Sequence, residues 1–325
     1  MEKDIPLPYH DALVKVVKRY ETKPLPAVFA EFDSFVEDEL LKRGIPLEMK
    51  YLPMALTDHK INYLSDDRSG LWALPVLVGL HYGLTIDDKH DERFAMEAAT
   101  GAALDYLSDL HQQYNDWWLS ILAYYNSPNS VNRALILKDN DVALWDFYDQ
   151  GLVPDAQIIA HFIACIYVYN DYQTTSKPSD DYVDFSFSRP IALKLLAKEA
   201  GLTVNKIKEL NPVFRSDTLV PFKDYTLRLP KKFANYFPDI EQELYDKTAA
   251  ASTKKTIEPT ETKPVSQNSG NTSASPSSKQ TYIVKKGDTL TKIANKYHTT
   301  VTNLKKWNRL KSDQIREGQK LIVKP

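Results

Sequence analysis

Cysteine is nearly absent from this chain. Its 325 residues include one cysteine, Cys165, so neither an intramolecular disulfide nor a cysteine-based metal site can form. Cys165 lies in the apolar run IIAHFIACIYVY, where a small thiol is typical of a buried core position. The sequence therefore predicts a core thiol, and it indicates no cofactor.

Long apolar runs are lacking too. No stretch is long and apolar enough to cross a bilayer, so we expect no membrane span in this chain. The opening residues, MEKDIPLPYH, do not resemble a secretory signal. If the protein is exported, we expect its export signal to lie outside this sequence or to have been trimmed.

Aromatic residues are missing from residues 248–280, which are rich in Ser, Thr, Lys and Pro. Such a segment cannot bury enough apolar surface to order itself, so it is predicted to be a flexible linker. The next segment, 281–325, is basic: its 11 Lys or Arg and three Asp or Glu give +8, which leaves −10 for the rest because the total is −2. Basic character is compatible with nucleic acid, with an anionic polymer or simply with a soluble surface.

One stretch stands out, residues 46–74, which read PLEMKYLPMALTDHKINYLSDDRSGLWAL. Its apolar residues recur at helical spacing after a Gly-x-Pro sequence that marks a helix stop and a new start. The pattern predicts an amphipathic helix over 46–57, kinked at Pro53. A polar loop over 58–69 and the turn Gly70-Leu71-Trp72 follow.

These residues resemble the catalytic half of the membrane-bound lytic transglycosylase D group, glycoside hydrolase family 23, whose pattern reads PLELKYLPIIES, a polar loop, then GLWQF. Residues 91–110, DERFAMEAATGAALDYLSDL, and residues 162–172, FIACIYVYNDY, resemble later segments of the same family. The resemblance implies a mainly α, lysozyme-like transglycosylase domain over 46–180. Two N-terminal helices within 1–45 are expected to brace it.

The resemblance fails at the residues that carry the chemistry. The family's catalytic glutamate falls on Leu56, and the glutamine of GLWQF falls on Ala73. Glycosidic cleavage needs a carboxylic acid to protonate the leaving oxygen, and leucine cannot supply a proton. Asp58 is the nearest carboxylate, but two residues along a helix turn roughly 200° about its axis. We expect Asp58 to point away from the cleft unless the helix ends early.

Tyr125 and Asn126 resemble the family's AYNSG motif, which lines the sugar cleft, although Pro128 replaces its glycine. The resemblance implies that Ala73, Tyr125 and Asn126 form a residual cleft. A structural role stays open, since tyrosine packs in cores and asparagine can end a helix. The family's Glu-Thr pair and cleft tyrosine are absent from residues 154–160.

An acidic loop, Asp87, Asp88, His90 and Asp91, precedes one predicted helix. Such a cluster is compatible with a hard cation. It is also compatible with a solvated helix start, where the helix dipole favours negative charge. The second interpretation is favoured, so no metal site is predicted.

The last third of the chain contains an internal repeat. Residues 196–211 align at a constant offset with residues 293–308, and each copy ends in a short alternating strand. The second copy, 281–325, resembles the LysM domain over its whole length. Its pattern predicts a βααβ unit whose helices are capped by Asp288 and Thr300.

LysM domains bind N-acetylglucosamine-containing glycans in a shallow groove between two loops, which correspond here to residues 287–290 and 310–315. The resemblance implies binding of peptidoglycan or a chitin-type glycan. Trp307 is a candidate stacking platform, although its spacing from Leu304 favours partial core burial. The candidate glycan-binding residues are Gly287, Asp288, Thr289, Leu290, Asn308, Leu310 and Ile315.

The first copy, within residues 181–247, departs from LysM in its first loop, where SRPIAL replaces GDTL. It is predicted to be a degenerate, structural LysM-like unit. The whole chain is therefore predicted to bind peptidoglycan in the cell envelope, in the periplasm, without cleaving it, and to scaffold another envelope protein. Two alternatives remain: a weakly or fully active lytic transglycosylase that uses Asp58, and nucleic-acid binding by the basic C-terminal module.

Overall fold

The residues that the structure describes form three separate apolar cores. The computed structural model describes residues 7–21, 28–58, 60, 62–65, 67–140, 142–169, 181–233, 235–257, 280–285, 288–297, 301–308, 310, 312 and 314–324. One core lies in the helical body up to Tyr169, a second lies between Phe187 and Tyr245, and the third lies between Val284 and Val323. The duplicated segments thus belong to two modules with their own cores.

The helical body is made of helices joined by short turns, with one small hairpin. Its elements are α1 (Leu7–Glu21), α2 (Val28–Arg43), a 3-10 helix (Leu47–Tyr51), α3 (Leu52–Thr57), β1 (Arg68–Ser69), β2 (Leu74–Pro75), α4 (Val76–His81), a 3-10 turn (Glu92–Phe94), α5 (Met96–Tyr114), α6 (Trp117–Asn126), α7 (Pro128–Leu137), α8 (Leu144–Asp149) and α9 (Gln157–Tyr169). The mainly helical, lysozyme-like fold class is confirmed.

Helix α5 lies at the centre of the body, where it packs against α2, α4 and α6. The indole nitrogen of Trp72 donates to the hydroxyl of Thr100 on α5 at 2.9 Å, and the hydroxyl of Tyr124 on α6 donates to the Trp72 carbonyl at 2.7 Å. Trp72 therefore fastens the turn after β1 to two helices. Cys165 on α9 is fully buried, so the predicted core thiol is confirmed.

The helix predicted over 46–57 exists but in two parts. Residues Leu47–Tyr51 form a 3-10 helix, and α3 begins at Leu52 with Pro53 in its first turn. Proline is tolerated there because its missing N–H would have no helical partner. The kink predicted at Pro53 is thus the change from one helix type to the other.

The LysM-like unit follows the body. Its elements are β3 (Tyr182–Phe185), β4 (Ile191–Ala192), α10 (Leu193–Ala200), α11 (Val204–Leu210), β5 (Thr218–Leu219), β6 (Leu227–Pro230), a 3-10 turn (Lys231–Phe233) and α12 (Phe237–Ile257). Strand β3 pairs antiparallel with β6, with Val183 opposite Leu229, and β4 pairs with β5.

The predicted start of the linker at Thr248 is wrong, because α12 continues to Ile257. Thr248 is buried, and its hydroxyl accepts the N–H of Ala192 at 2.9 Å. Its neighbour on the helix, Tyr245, belongs to the core of the unit. Contacts made by α12 with distant residues therefore order a stretch whose composition alone indicated a linker. Residues 258–279 lie outside the described residues.

The body and the LysM-like unit meet at Glu92. Its carboxylate is almost fully buried and accepts hydrogen bonds from the Lys223 ammonium, from the Tyr225 hydroxyl at 2.8 Å and from the Thr85 N–H at 2.7 Å. Burial alone would raise the pKa of Glu92, but these hydrogen bonds outweigh it and lower that pKa below its ordinary value. A buried, ionised carboxylate thus joins the two modules.

The expectation of a solvated helix start at Asp91 is wrong. Asp91 and Arg93 are each only 4% exposed, and the guanidinium donates to both oxygens of the carboxylate, at 2.9 and 2.7 Å. His90 is buried as well, stacked on Phe222 of the LysM-like unit with ring centroids 4.3 Å apart. Among the described residues, no group of three or more His, Cys, Asp or Glu side chains is arranged to hold a metal ion.

The C-terminal module is the predicted βααβ unit: β7 (Gln280–Ile283), α13 (Leu290–Lys296), α14 (Val301–Asn308) and β8 (Lys320–Lys324), with β7 and β8 antiparallel. A capping hydrogen bond at the start of α13 comes from Thr289, the residue after the predicted cap Asp288. The Thr289 hydroxyl accepts the Lys292 N–H at 3.2 Å, while Asp288 accepts the Tyr282 hydroxyl at 2.7 Å. The predicted cap Thr300 lies outside the described residues.

None of the described helices is long and apolar enough to cross a membrane.

Candidate functional site

Leu56, the residue to which the sequence analysis assigned the family's acid position, lies in the last turn of α3. It is 5% exposed and belongs to the core of the body. The next residue, Thr57, is also buried, and its hydroxyl donates to the Pro53 carbonyl of the same helix at 2.9 Å. These two side chains therefore serve packing and helix structure, and neither can protonate a leaving group.

Asp58 follows directly, because α3 ends at Thr57. Its backbone is left-handed, with φ of 52°, and its carboxylate lies 2.9 Å from the Arg19 guanidinium on α1. The helix thus ends early, as the alternative role for Asp58 required. The ion pair nevertheless directs the carboxylate to α1.

The hairpin that contains Ala73 is held by Arg68, a residue that the sequence reasoning did not single out. The guanidinium donates to the Ala73 carbonyl at 3.1 Å and to the Tyr125 carbonyl at 2.8 Å, and its central carbon lies 5.6 Å from the centre of the Tyr125 ring. The feature of the sequence that could have pointed to Arg68 is its position next to the Ser69-Gly70 turn. A sequence cannot show that its partners lie at the end of α6.

Ala73 and Asn126 do not form a residual sugar contact as predicted. Ala73 is 1% exposed. The Asn126 amide donates to the Leu122 carbonyl at 3.2 Å and to the Asp155 carbonyl at 2.8 Å, and its oxygen accepts the Asp155 N–H at 2.7 Å. The structural interpretation therefore holds for Asn126, which fastens the end of α6 to the loop before α9.

Tyr125 is half-buried and remains the candidate sugar contact of the body. Burial raises its pKa, and the neighbouring Asp155 and Tyr63 add to that shift. We call the surface formed by Tyr63, Arg68 and Tyr125 the Tyr125 surface. It combines two aromatic side chains with one fixed cation.

Two carboxylates lie near the Tyr125 surface, so both must be weighed as alternative acids. Asp155 accepts the N–H of Gln157 at 2.9 Å, at the start of α9. The Asp67 side chain is 57% exposed and lies 3.9 Å from Arg68. A glycosidase acid retains its proton at neutral pH because an apolar enclosure surrounds it. Asp155, which is bonded to the start of α9, and Asp67, which is exposed, both lack that enclosure.

In the LysM module, four residues of the predicted glycan site are exposed or half-buried. Thr289 is exposed, and Asp288, Leu310 and Ile315 are half-buried, with Leu310 and Ile315 packed against the module core. Trp307 also packs against that core, as predicted. Gly287 lies outside the described residues.

Two side chains of the predicted glycan site, Leu290 and Asn308, are instead used within the fold. Leu290 is 2% exposed, so it belongs to the core. The Asn308 amide donates to the carbonyls of Leu304 and Ile322, at 2.9 and 2.7 Å, and its oxygen accepts the Ile322 N–H at 2.6 Å. Since both amide hydrogens of Asn308 are used within the fold, this side chain fastens α14 to β8.

Known protein families match three parts of the chain, and these parts fall on the three modules that the apolar cores define. The family described as transglycosylase SLT domain matches residues 48–141, the LysM-like domain of lytic transglycosylase MltD matches residues 184–246, and the LysM domain matches residues 282–324. The chain is an MltD-like lytic transglycosylase homologue. Its three family matches therefore follow the order of an MltD-like protein, and each falls on a module with its own core.

Individual relatives agree with this family assignment. Membrane-bound lytic murein transglycosylase D of Escherichia coli (strain K12) is 24% identical over 298 residues, which is 89% of this chain and 62% of that protein. The cell wall-binding protein YocH of Bacillus subtilis (strain 168) is 60% identical over 43 residues, 13% of this chain and 15% of YocH. A probable N-acetylmuramidase of Lactococcus lactis is 54% identical over 52 residues, 16% of this chain and 12% of that protein. The MltD-like homologue therefore spans about 62% of its full-length relative.

Proposed function

We propose that this protein binds the glycan strands of peptidoglycan through its LysM domain and that its transglycosylase-like body does not cleave them. The observation that carries the proposal is Leu56, an aliphatic side chain in the core. The resemblance to the family assigns the position of its acid to this residue. The reaction requires one group that first donates and then accepts a proton, and Leu56 can do neither.

The charge at the Tyr125 surface supports the absence of cleavage. Glycosidic cleavage passes through a transition state in which the sugar ring develops positive charge. The Arg68 guanidinium is fixed by two carbonyl groups and lies over the Tyr125 ring. The paired Asp67 carboxylate is exposed and lies 3.9 Å from Arg68, so it offsets the guanidinium charge only in part. A sugar held there would develop its positive charge beside the remaining one, which raises the energy of the transition state.

The rival function is a lytic transglycosylase that uses Asp58. The ion pair of Asp58 with Arg19 argues against it, because that contact holds the carboxylate against α1. Asp58→Ala tests the rival: any release of soluble muropeptides from purified wall by the unmodified chain should vanish in this variant if Asp58 is the acid. We expect no release from either protein.

The binding half of the proposal is tested by sedimentation with intact sacculi. We expect a chain that ends before residue 281 to sediment much less than the full chain, since the C-terminal module has its own core and carries the proposed LysM site. Binding that falls steeply with salt would instead indicate the basic, nucleic-acid-type interaction, because phosphate contacts release counterions. Equal sedimentation of the two chains would contradict a role for LysM.

The proposed location is the cell envelope, in the periplasm, where peptidoglycan is found. The domain order of an MltD-like protein supports this placement.

A wall-bound body without cleavage activity would scaffold another envelope protein. Cross-linking in cells with the full chain and with Arg68→Ala, followed by identification of bound proteins, tests this role. Recovery of no envelope protein with either chain would contradict it.

A further inference from the structure

A cavity of about 760 Å³ lies between the body and the LysM-like unit. Phe35, Phe94 and Glu97 line it from the body, and Tyr182 and Thr226 line it from the unit. Volumes of this size at domain junctions are typical of small-ligand sites. The cavity is separate from the Tyr125 surface and from the loops of the LysM domain, none of whose residues line it.

The two walls of the cavity are held in fixed relation. Besides the bonds to Glu92, the Asp91 N–H donates to the Val213 carbonyl at 2.9 Å, and the Arg215 N–H donates to the Lys89 carbonyl at 2.7 Å. At the rim, the Asn62 amide donates to the Glu209 carbonyl at 3.1 Å. A ligand would therefore meet a preformed site, which lowers the entropic cost of binding.

The charges that line the cavity disfavour an anion. Arg93 is paired with Asp91 at 2.7 Å, and Arg228 is paired with Asp184 at 2.9 Å, so each guanidinium is already neutralised. Glu97, by contrast, makes no ion pair with any residue that the structure describes. A carboxylate or phosphate would meet an acidic wall without a compensating cation, and its desolvation would not be offset.

The remaining lining groups are those that suit a sugar. Phe35 and Tyr182 provide aromatic surface for the C–H faces of a pyranose ring, and Tyr182 is also exposed. The Glu97 carboxylate accepts hydrogen bonds from hydroxyl or amide N–H groups, and the exposed Thr226 hydroxyl both donates and accepts them. We propose that this cavity binds a neutral segment of N-acetylglucosamine glycan, as a second site that rests on the proposed peptidoglycan binding.

The test is an NMR titration of the full chain with the β-1,4-linked tetramer of N-acetylglucosamine. We expect two groups of amide signals to shift, one around Thr226 and Glu97 and one around Thr289. Thr226→Trp should fill the cavity and abolish the first group of shifts while the second remains. Glu97→Gln should weaken binding at the cavity about tenfold, since a charge-assisted hydrogen bond becomes a neutral one.

Asn205→Trp is the matched control, because Asn205 is an exposed residue on α11 of the same unit and does not line the cavity. It should leave both groups of shifts unchanged, and thermal unfolding of all three variants should match that of the unmodified chain. Shifts confined to the Thr289 group would overturn the cavity site and leave the LysM proposal standing. Shifts confined to the cavity would overturn LysM binding instead, and preferential binding of inorganic phosphate at the cavity would overturn the assignment to a neutral glycan.

Discussion

Asn211 and Asn308 make the same three hydrogen bonds in two separate modules. The Asn211 amide donates to the carbonyls of Ile207 and Arg228, each at 2.9 Å, and accepts the Arg228 N–H at 2.6 Å. The Asn308 amide does the same with Leu304 and Ile322, at 2.9, 2.7 and 2.6 Å. What the repeat shares at this position is therefore a link between the second helix and the closing strand.

Asn308→Ala is expected to destabilise the LysM domain without changing the rest of the chain. The substitution leaves the Ile322 N–H and C=O without their side-chain partner, and loss of such bonds costs about 1–3 kcal/mol when the groups are shielded from water. Hydrogen exchange of the full chain measures this: protection should fall within 282–324 and remain unchanged within 184–246. Asn205→Ala, an exposed asparagine on α11, is the control. If Asn308→Ala keeps full protection from exchange but no longer binds glycan, the result would show that Asn308 is a glycan-binding residue.

Gly70→Ala should destabilise the body by about 3 kcal/mol, because a Cβ at this position would lie 1.7 Å from the Arg93 carbonyl oxygen. Gly83→Ala separates this clash from backbone strain. Gly83 also has a positive φ, 84°, but a Cβ there meets nothing within 4 Å, so about 1–2 kcal/mol is expected. Urea denaturation of both variants checks the difference. Equal losses would mean that the chain relieves the clash by moving.

The junction at Glu92 should lose stability in acid. The pKa of Glu92 is lowered in the folded protein, so its contribution is present above the unfolded pKa of about 4.3 and is lost as the pH falls through the folded value. Glu92→Gln should lower the melting temperature at neutral pH, and the gap to the unmodified chain should close in acid. Asp88→Asn, in the same loop but exposed, is the control and should leave the pH profile unchanged. A gap that is constant with pH would argue against the ionised Glu92 as the source.

Leu56→Glu should not restore cleavage. The new carboxyl would enter the core of the body, where burial of a charge without partners is unfavourable, and Ala73 still lacks the family's amide. Arg68 would remain over the Tyr125 ring. Release of soluble muropeptides from sacculi is the measurement, with Leu56→Met as the variant that controls for repacking. Robust turnover by Leu56→Glu alone would contradict this prediction.

Much of the fold could be predicted from the sequence, because helical periodicity and turn residues are local signals. The helical stretch predicted over 46–57 is present as a 3-10 helix followed by α3, and Cys165 is buried as its apolar run indicated. The LysM unit followed from its pattern of apolar residues. The predictions failed where a side chain has a distant partner, as for His90 with Phe222 and for Thr248 with Ala192.

The sequence alone determined which modules are present, and its resemblance to the family assigned the acid position to Leu56, since both depend on residue identity and spacing. Only the tertiary structure decided what the remaining polar residues do. In the folded protein Asp58 pairs with Arg19, and Arg68 lies over the ring of Tyr125. Asn126 and Asn308 form hydrogen bonds with distant backbone groups of the fold. These outcomes depend on which distant backbone and side-chain groups the packing of helices brings within hydrogen-bonding distance, and no local pattern encodes that.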